Sequence, residues 1–378
     1  MRRRAFLSTA GLAGLAGLAG CAASGDGGTA TPPPGGTGRP ETGTPAPGER
    51  PDATPPDGGD VDLPDGVYVQ RFREGLAMQG TAESGPYAAG LMYAAPHVFW
   101  TVSGTDRRRI ERAGDLHLMA TVWDPETGTV LPEAGVSVEI TRDGALVSQE
   151  VIYPMLSQPM GFHYGANFGL DGDGTYTVEL SVGAMSTRRT GPFQGRFSEA
   201  SSVEMPFEYS RQERDDIRIR RLGDETATPG AVDPMEMEML PASLAPPESD
   251  LPGTVVGTGT SNDARFVVSV LDTPPAGIDG DGQYIAVSAR TRYNRSILPA
   301  MGLEGVLSRG GEPVYEGAFT PTLDPDLDYH YGAVVDGVES GDELPLRVAV
   351  QPQTARHEGY ETAFGGLDGR MPDVTITV

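Results

Sequence analysis

The sequence predicts an all-β protein: two tandem immunoglobulin-like β-sandwich domains that follow an export leader and a disordered tether. Three observations carry this. Short segments alternate apolar and polar residues and are bounded by turn chemistry, with no convincing helical period. The chain also matches itself at one constant offset, so that Gly114–Ala166 runs beside Asp281–Ala333 without a gap. Within that match His163-Tyr164-Gly165-Ala166 falls on His330-Tyr331-Gly332-Ala333, Pro154 on Pro321, and Leu131-Pro132 on Leu298-Pro299. A shared period of domain size points to two copies of one domain. Finally, Ala22 to about Val61 holds Gly, Pro, Thr, Ser and Asp with almost no large apolar residue.

Residues 1–21 read as a signal peptide. Arg3-Arg4-Ala5-Phe6-Leu7 and the apolar run after it resemble a twin-arginine export signal, and Leu18-Ala19-Gly20-Cys21 resembles the lipobox of secreted lipoproteins. Cleavage before Cys21 and lipidation of its thiol would hold the protein at the outer face of the cytoplasmic membrane. An uncleaved N-terminal membrane anchor is the alternative. Residues 22–62 cannot bury enough surface to offset ordering and form the tether, with a root-mean-square reach of roughly 35 Å.

The first sandwich spans residues 63–210. Its expected strands are Gly90–Ala94, Val98–Val102, Asp115–Trp123, Gly135–Arg142, Leu146–Tyr153, Phe162–Phe168, Thr175–Val182 and Ser202–Tyr209. Asp143-Gly144 and Asp171-Gly172-Asp173-Gly174 supply hairpin turns. Seven to nine short strands of this kind fit an immunoglobulin-type sandwich. Residues 211–253 are charged and then rich in Pro, Glu, Asp and Thr, and read as a linker. Residues 254–378 repeat the plan as a second, degenerate copy, with strands near Arg265–Leu271, Gln283–Arg290, Gly302–Ser308, Glu312–Thr320, Tyr329–Val335, Leu344–Val350 and Asp373–Val378.

The net charge of −25 comes from 53 acidic residues against 28 basic ones, all of them arginine. Total loss of lysine with retained arginine fits adaptation to concentrated salt, where the Debye length is about 3 Å and self-repulsion ceases to matter. The sequence is therefore of haloarchaeal type, and its acidic clusters carry no weight as sites. Nucleic acid is excluded as a partner, because no basic patch outside the leader is there to contact phosphates. One cysteine excludes a disulfide framework and a cysteine metal site. No nucleophile–base constellation appears, and the chain reads as non-enzymatic.

Five histidines occur: His97, His117, His163, His330 and His357. In Asp115–Trp123 the residues Leu116, Leu118, Ala120 and Val122 form one apolar face, so His117 and Met119 share the other. Met155, Met160 and His163 follow within one later turn and strand. Imidazole nitrogen with thioether sulfur suits copper, above all Cu(I), better than iron.

The stretches ERAGDLHLMATVWD, LPEAGVSVEI to EVIYPM, and GFHYGANF before GTYTVELSV resemble the periplasmic high-affinity iron-transport lipoprotein family over roughly Gly114–Tyr209. The resemblance implies an immunoglobulin-like fold, binding of Cu²⁺ and Fe²⁺, and work beside an iron permease. It implies ligands at His117, Met155 and His163. Met119 stands where the family has a glutamate, and Gly195-Arg196 is followed by Phe197 where the family has a histidine. The expected metal ligands are thus His117, Met119, Met155 and His163, holding a copper or ferrous ion. The expected partners are the membrane through the lipid anchor, an iron permease and a second copy of the chain.

In the second half Tyr284, Ala286 and Thr322 replace His117, Met119 and Met155, which leaves His330 and His357 as a degenerate second site. A different reading makes the chain a surface scaffold or adhesion module with structural histidines, since the HYG histidine persists where its companions are lost. His97 reads as a strand-end residue. Met235, Met237 and Met239 read as chance residues of a solvated linker, or as copper scavengers. Asn294-Arg295-Ser296 is a glycosylation sequon.

Overall fold

Tyr176, Val178, Leu180 and Val182 are buried while the residues between them are not, and Val203, Met205, Phe207 and Tyr209 repeat the pattern on the paired strand. Period-two alternation of this kind builds a half-covered antiparallel sheet. Other strands, such as Leu116–Trp123, are covered on both faces, because chain from elsewhere lies over the side away from the core. The computed structural model describes residues 64–365 and 370–378. The leader, Cys21 and the tether lie outside them.

The first half contains β1 (Phe72–Glu74), β2 (Ala77–Ser84), β3 (Tyr87–Ala94), β4 (Phe99–Ser103), β5 (Asp106–Ile110), β6 (Leu116–Trp123), β7 (Val136–Arg142), β8 (Ala145–Val151), β9 (Tyr153–Ser157), β10 (Gly161–Phe168), β11 (Gly174–Val182), β12 (Arg188–Arg189) and β13 (Ser201–Tyr209). Next come a short helix α1 (Arg211–Asp216), whose first turn is capped by the Ser210 side chain, and β14 (Ile219–Arg221). The second half contains β15 (Thr254–Ser261), β16 (Ala264–Leu271), β17 (Gln283–Thr291), β18 (Gly302–Arg309), β19 (Glu312–Asp324), β20 (Asp328–Val335), β21 (Glu343–Val350), β22 (Ala355–Arg356) and β23 (Val374–Thr377). Among the described residues no helix is long and apolar enough to cross a membrane.

In the first half one sheet runs β2-β3-β6-β10-β9 and continues through β22 to β4-β5, and the other runs β13-β11-β7-β8. Leu118, Ala120 and Val122 from the first share a core with Val138, Ile140, Val178 and Leu180 from the second. That is sheet-on-sheet packing, the all-β sandwich expected from the alternation. The second half is ordered β15-β16-β17-β20-β19-β18-β21-β23. Its long β19 pairs with β18 at one end and β20 at the other, taking the place of β8 and β9 together.

Two offsets relate the halves. Strands β6, β10 and β12 correspond to β17, β20 and β22 at the offset that sets His163 on His330, whereas β2 and β3 correspond to β15 and β16 at a larger one. The difference arises between β3 and β6, where the first half holds Pro96-His97 and the β4–β5 hairpin and the second half has a shorter connection. The halves also exchange short strands. From the second half, β22 adds in parallel to β9, with Ala355 beside Met155 and Arg356 beside Leu156. From the first half, β12 adds in parallel to β19, with Arg188 beside Thr322 and Arg189 beside Leu323. The two registers coincide when His163 is set on His330. Each half gives what it receives, the reciprocity of an isologous two-fold contact.

Residues 211–253, expected as a linker, lie along the first half. Strand β14 pairs with β1, Val232 N donates to Gln158 Oε1 at 2.9 Å, and Met235, Met237 and Leu240 pack beside Met92, Met119 and Met160.

Candidate metal centre

The repeated HYG block has a structural task in both halves. Tyr164 Oη donates to Leu131 O at 2.9 Å and accepts from Ala134 N at 3.1 Å. Tyr331 Oη does the same with Leu298 O at 2.8 Å and Met301 N at 3.0 Å. This explains why the Leu-Pro pair repeats together with the tyrosine. His163 Nδ1 donates to Gly161 O at 3.1 Å, and His330 Nδ1 to Asp328 O at 3.0 Å. The glycines make room for what lies above them. A Cβ on Gly165 would stand 3.0 Å from Met155 Sδ and 3.1 Å from His117 Nε2, while one on Gly332 would collide with the Tyr284 hydroxyl.

The halves differ at the remaining imidazole nitrogen. His330 Nε2 accepts from Tyr284 Oη at 2.9 Å. The Arg188 guanidinium, carried in on β12, donates to Tyr284 Oη at 3.0 Å, Gly332 O at 2.9 Å and Thr322 Oγ1 at 2.8 Å. The counterparts of these three residues are His117, Gly165 and Met155. A fixed cation thus fills the second half's pocket.

In the first half the corresponding nitrogens are bare. His117, on β6, donates from Nδ1 to Asn167 Oδ1 at 2.8 Å, which leaves its Nε2 as a lone pair. His97, on the inserted segment, donates from Nε2 to Glu74 Oε2 at 2.8 Å, which leaves Nδ1. His163 Nδ1 is engaged by Gly161 O, which leaves Nε2. His117 Nε2, His163 Nε2, His97 Nδ1 and His357 Nε2 are all buried without a hydrogen-bond partner. Ring nitrogens of His97, His117 and His357 lie within 4.8 Å of one another. The His97 and His117 rings stack with centroids 4.7 Å apart, His357 meets each edge-on at 5.2 Å, and the His163 ring lies 5.4 Å from that of His357. Met155 and Phe99, packed with Ala355, form an apolar wall.

Asn167 organises two of these groups. It fixes the His117 tautomer and clasps the His97 backbone, accepting from its N at 3.1 Å and donating to its O at 2.7 Å. Glu74 does more than hold the His97 ring, since its other oxygen accepts from Ala95 N at 3.2 Å. It is placed by β1, which is paired in turn to β14.

Electrostatics agree with the pattern of lone pairs. Burial pushes His163 down to about 4, and it lowers His117 and His357 well below the ordinary histidine range, with His97 beside both adding to the effect. Neutral imidazole is the form that binds metal. A buried polar atom without a partner costs about 1–3 kcal/mol. Four of them in one group of rings, three presenting lone pairs because the other ring nitrogen donates elsewhere, fit a transition-metal ion that accepts from them.

Of the ligands expected from the sequence, the structure brings together His117, Met155 and His163. Met119 lies on the same face of β6 but packs with Met92 and Met160 instead of the rings. His330 and His357, paired in the sequence reading as one degenerate site, fall in different places: His330 against Tyr284, His357 against His97, His117 and His163. His97, read as a strand-end residue, is part of the centre. Two signals marked the missed residues. The Arg-His step absent after Gly195 occurs at Arg356-His357, and His97 lies on the segment between β3 and β6 that the second half lacks. Asn167 is a third mark of the working copy, since its counterpart is Val334.

Comparisons with known proteins match two separate stretches of the chain. Residues 110–210 match the family described as Fe2+ transport protein, and residues 249–377 match a family described as a domain of unknown function. Similar solved structures include FetP of uropathogenic E. coli strain F11, at 22% identity over 36% of this chain and 97% of that one, with a TM-score of 0.30. Another is copper-reconstituted P19 from Campylobacter jejuni, at 19% identity over 36% of this chain and 96% of that one, with a TM-score of 0.27. No curated protein matches.

Proposed function

We propose, for a chain whose residues 110–210 carry a domain of the iron-transport family, that it is an exported, lipid-anchored protein that binds copper or ferrous iron as cargo and presents it to a membrane permease. The observation that carries this is the grouping of four buried imidazole nitrogens without partners. His97, His117, His163 and His357 would supply nitrogen, and Met155 sulfur. Glu74 and Asn167 would hold two of the rings in the tautomers that face the ion, the outer-sphere role that commonly sets ligand orientation. Glu74 is engaged with His97 and Ala95, so the donor set is imidazole and thioether, which favours copper over Fe²⁺. Beyond Cys21, the tether would give the centre room to reach its partner. The scaffold reading keeps its force for the second half, where His330 is fully bonded.

Titration of the full chain in high salt with Cu²⁺, and anaerobically with Cu(I) and Fe²⁺, tests the centre. One ion should bind tightly in it, and His117→Ala, His163→Ala and His357→Ala should each weaken it by at least about tenfold, or about 1.4 kcal/mol. Equal, weak binding by wild type and all three variants would sink the proposal.

A further inference from the structure

Beside the histidine centre lies a group of methionines that it does not use. Six of the chain's 13 methionines meet there: Met92, Met119 and Met160 are buried, and Met78, Met235 and Met237 are half-buried around them. They come from three places, the β2–β3 and β6 strands, the turn before β10, and the 211–253 segment. Met119, Met160 and Met235 line the same cavity, of about 190 Å³, as His97, His163 and His357. The half-buried Met235 and Met237 alternate with the carboxylates Glu236 and Glu238. The group therefore runs from acidic surface inward to the cavity that the histidines also line.

A thioether is neutral, does not titrate, and is a soft donor that selects Cu(I) over Fe²⁺ or Cu²⁺. Leucine would fill the same space at less conformational cost, since methionine packs loosely. Clustering of six, three of them lining the cavity that His97, His163 and His357 also line, is what packing alone does not require.

We propose that these methionines form a second metal site, a thioether port that takes up Cu(I) and passes it through the shared cavity to the histidine centre. The inference rests on the centre being a metal site. Copper remains Cu(I) throughout, and transfer is ligand exchange without electron movement.

The test uses the full chain, anaerobic Cu(I) competed against a chromophoric chelator, and X-ray absorption of the bound copper. In the variant Met119→Leu/Met160→Leu/Met235→Leu the side-chain volumes are nearly kept, and its metal-free melting temperature reports folding. Wild type should hold two Cu(I), and the methionine variant one, with fewer Cu–S contacts. A His117→Ala/His163→Ala variant should lose the other equivalent and keep the sulfur-rich one. An unchanged Cu(I) count and unchanged Cu–S signal in a folded methionine variant would overturn the port and leave the methionines as packing. If the histidine variant binds as wild type while the methionine variant loses an equivalent, it is the histidine reading that fails.

Discussion

At the scale of single residues, the centre is governed by which nitrogen of each ring is already engaged. His163 uses Nδ1 on Gly161 O just as His330 uses its own on Asp328 O, yet only His163 keeps a bare Nε2. The difference lies in what stands opposite: His117 and Met155 in one half, Tyr284, Thr322 and the Arg188 guanidinium in the other. The neutral state of these rings has a consequence for the metal-free protein. His163 titrates at about 4 when folded, against an ordinary value of 6.5, so between those values the unfolded chain binds the proton and the folded one does not. Stability is then full above about pH 6.5 and falls as pH drops toward 4, by about 3 kcal/mol from this residue. His117 and His357 are shifted in the same direction. Denaturant unfolding of the metal-free chain across pH 7 to 4 should show that loss, and His163→Gln should flatten part of it.

At the scale of elements, strands β12 and β22 are two residues long and yet decide the chemistry. Each places its residues across the boundary between halves, Arg188 into the second pocket and His357 beside the first. Replacing Arg188 by Ala removes the donors to Thr322 Oγ1 and Gly332 O. That should lower unfolding free energy by about 1–3 kcal/mol, while the histidine centre binds metal as in wild type; calorimetry and metal titration check the two parts. Most strands were legible in the sequence, because Thr175–Val182 announces itself by alternation and Gln283–Arg290 by its place in the internal repeat. Strands such as β12 and β22 have no period to detect. The ligands divide in the same way. His117, Met155 and His163 sit on neighbouring strands within one repeat, where a residue pattern can be matched, and His163 pairs directly across from Met155. His97 and His357 reach the centre through an inserted segment and a crossing strand, a contact between opposite ends of the described chain that local pattern does not encode. Met119 shows the limit of period-two reasoning: it shares the face of His117, as alternation requires, but that face is long enough to serve two environments.

At the scale of the molecule, the two halves share a continuous core, from Val67 to Ile376, and trade strands across their contact. One half leaves its imidazole nitrogens without partners, and the other closes the corresponding pocket with an arginine. Two expectations separate this arrangement from two independent domains on a string. Both halves should melt together in one cooperative transition, followed by calorimetry. Residues 63–210 produced alone should bind copper more weakly than the full chain by at least about tenfold, having lost His357. Co-expression with residues 254–378 should restore the affinity if the halves can dock in trans.

The crossing of β22 also imposes an order of events. His357 comes far after the other three histidines in the sequence, so a nascent polypeptide cannot close the four-nitrogen centre until most of the second half has been made. The second half must fold and deliver its short strand to β9 before the four nitrogens lie together. Full-strength binding at this centre would therefore report that the two halves have found each other.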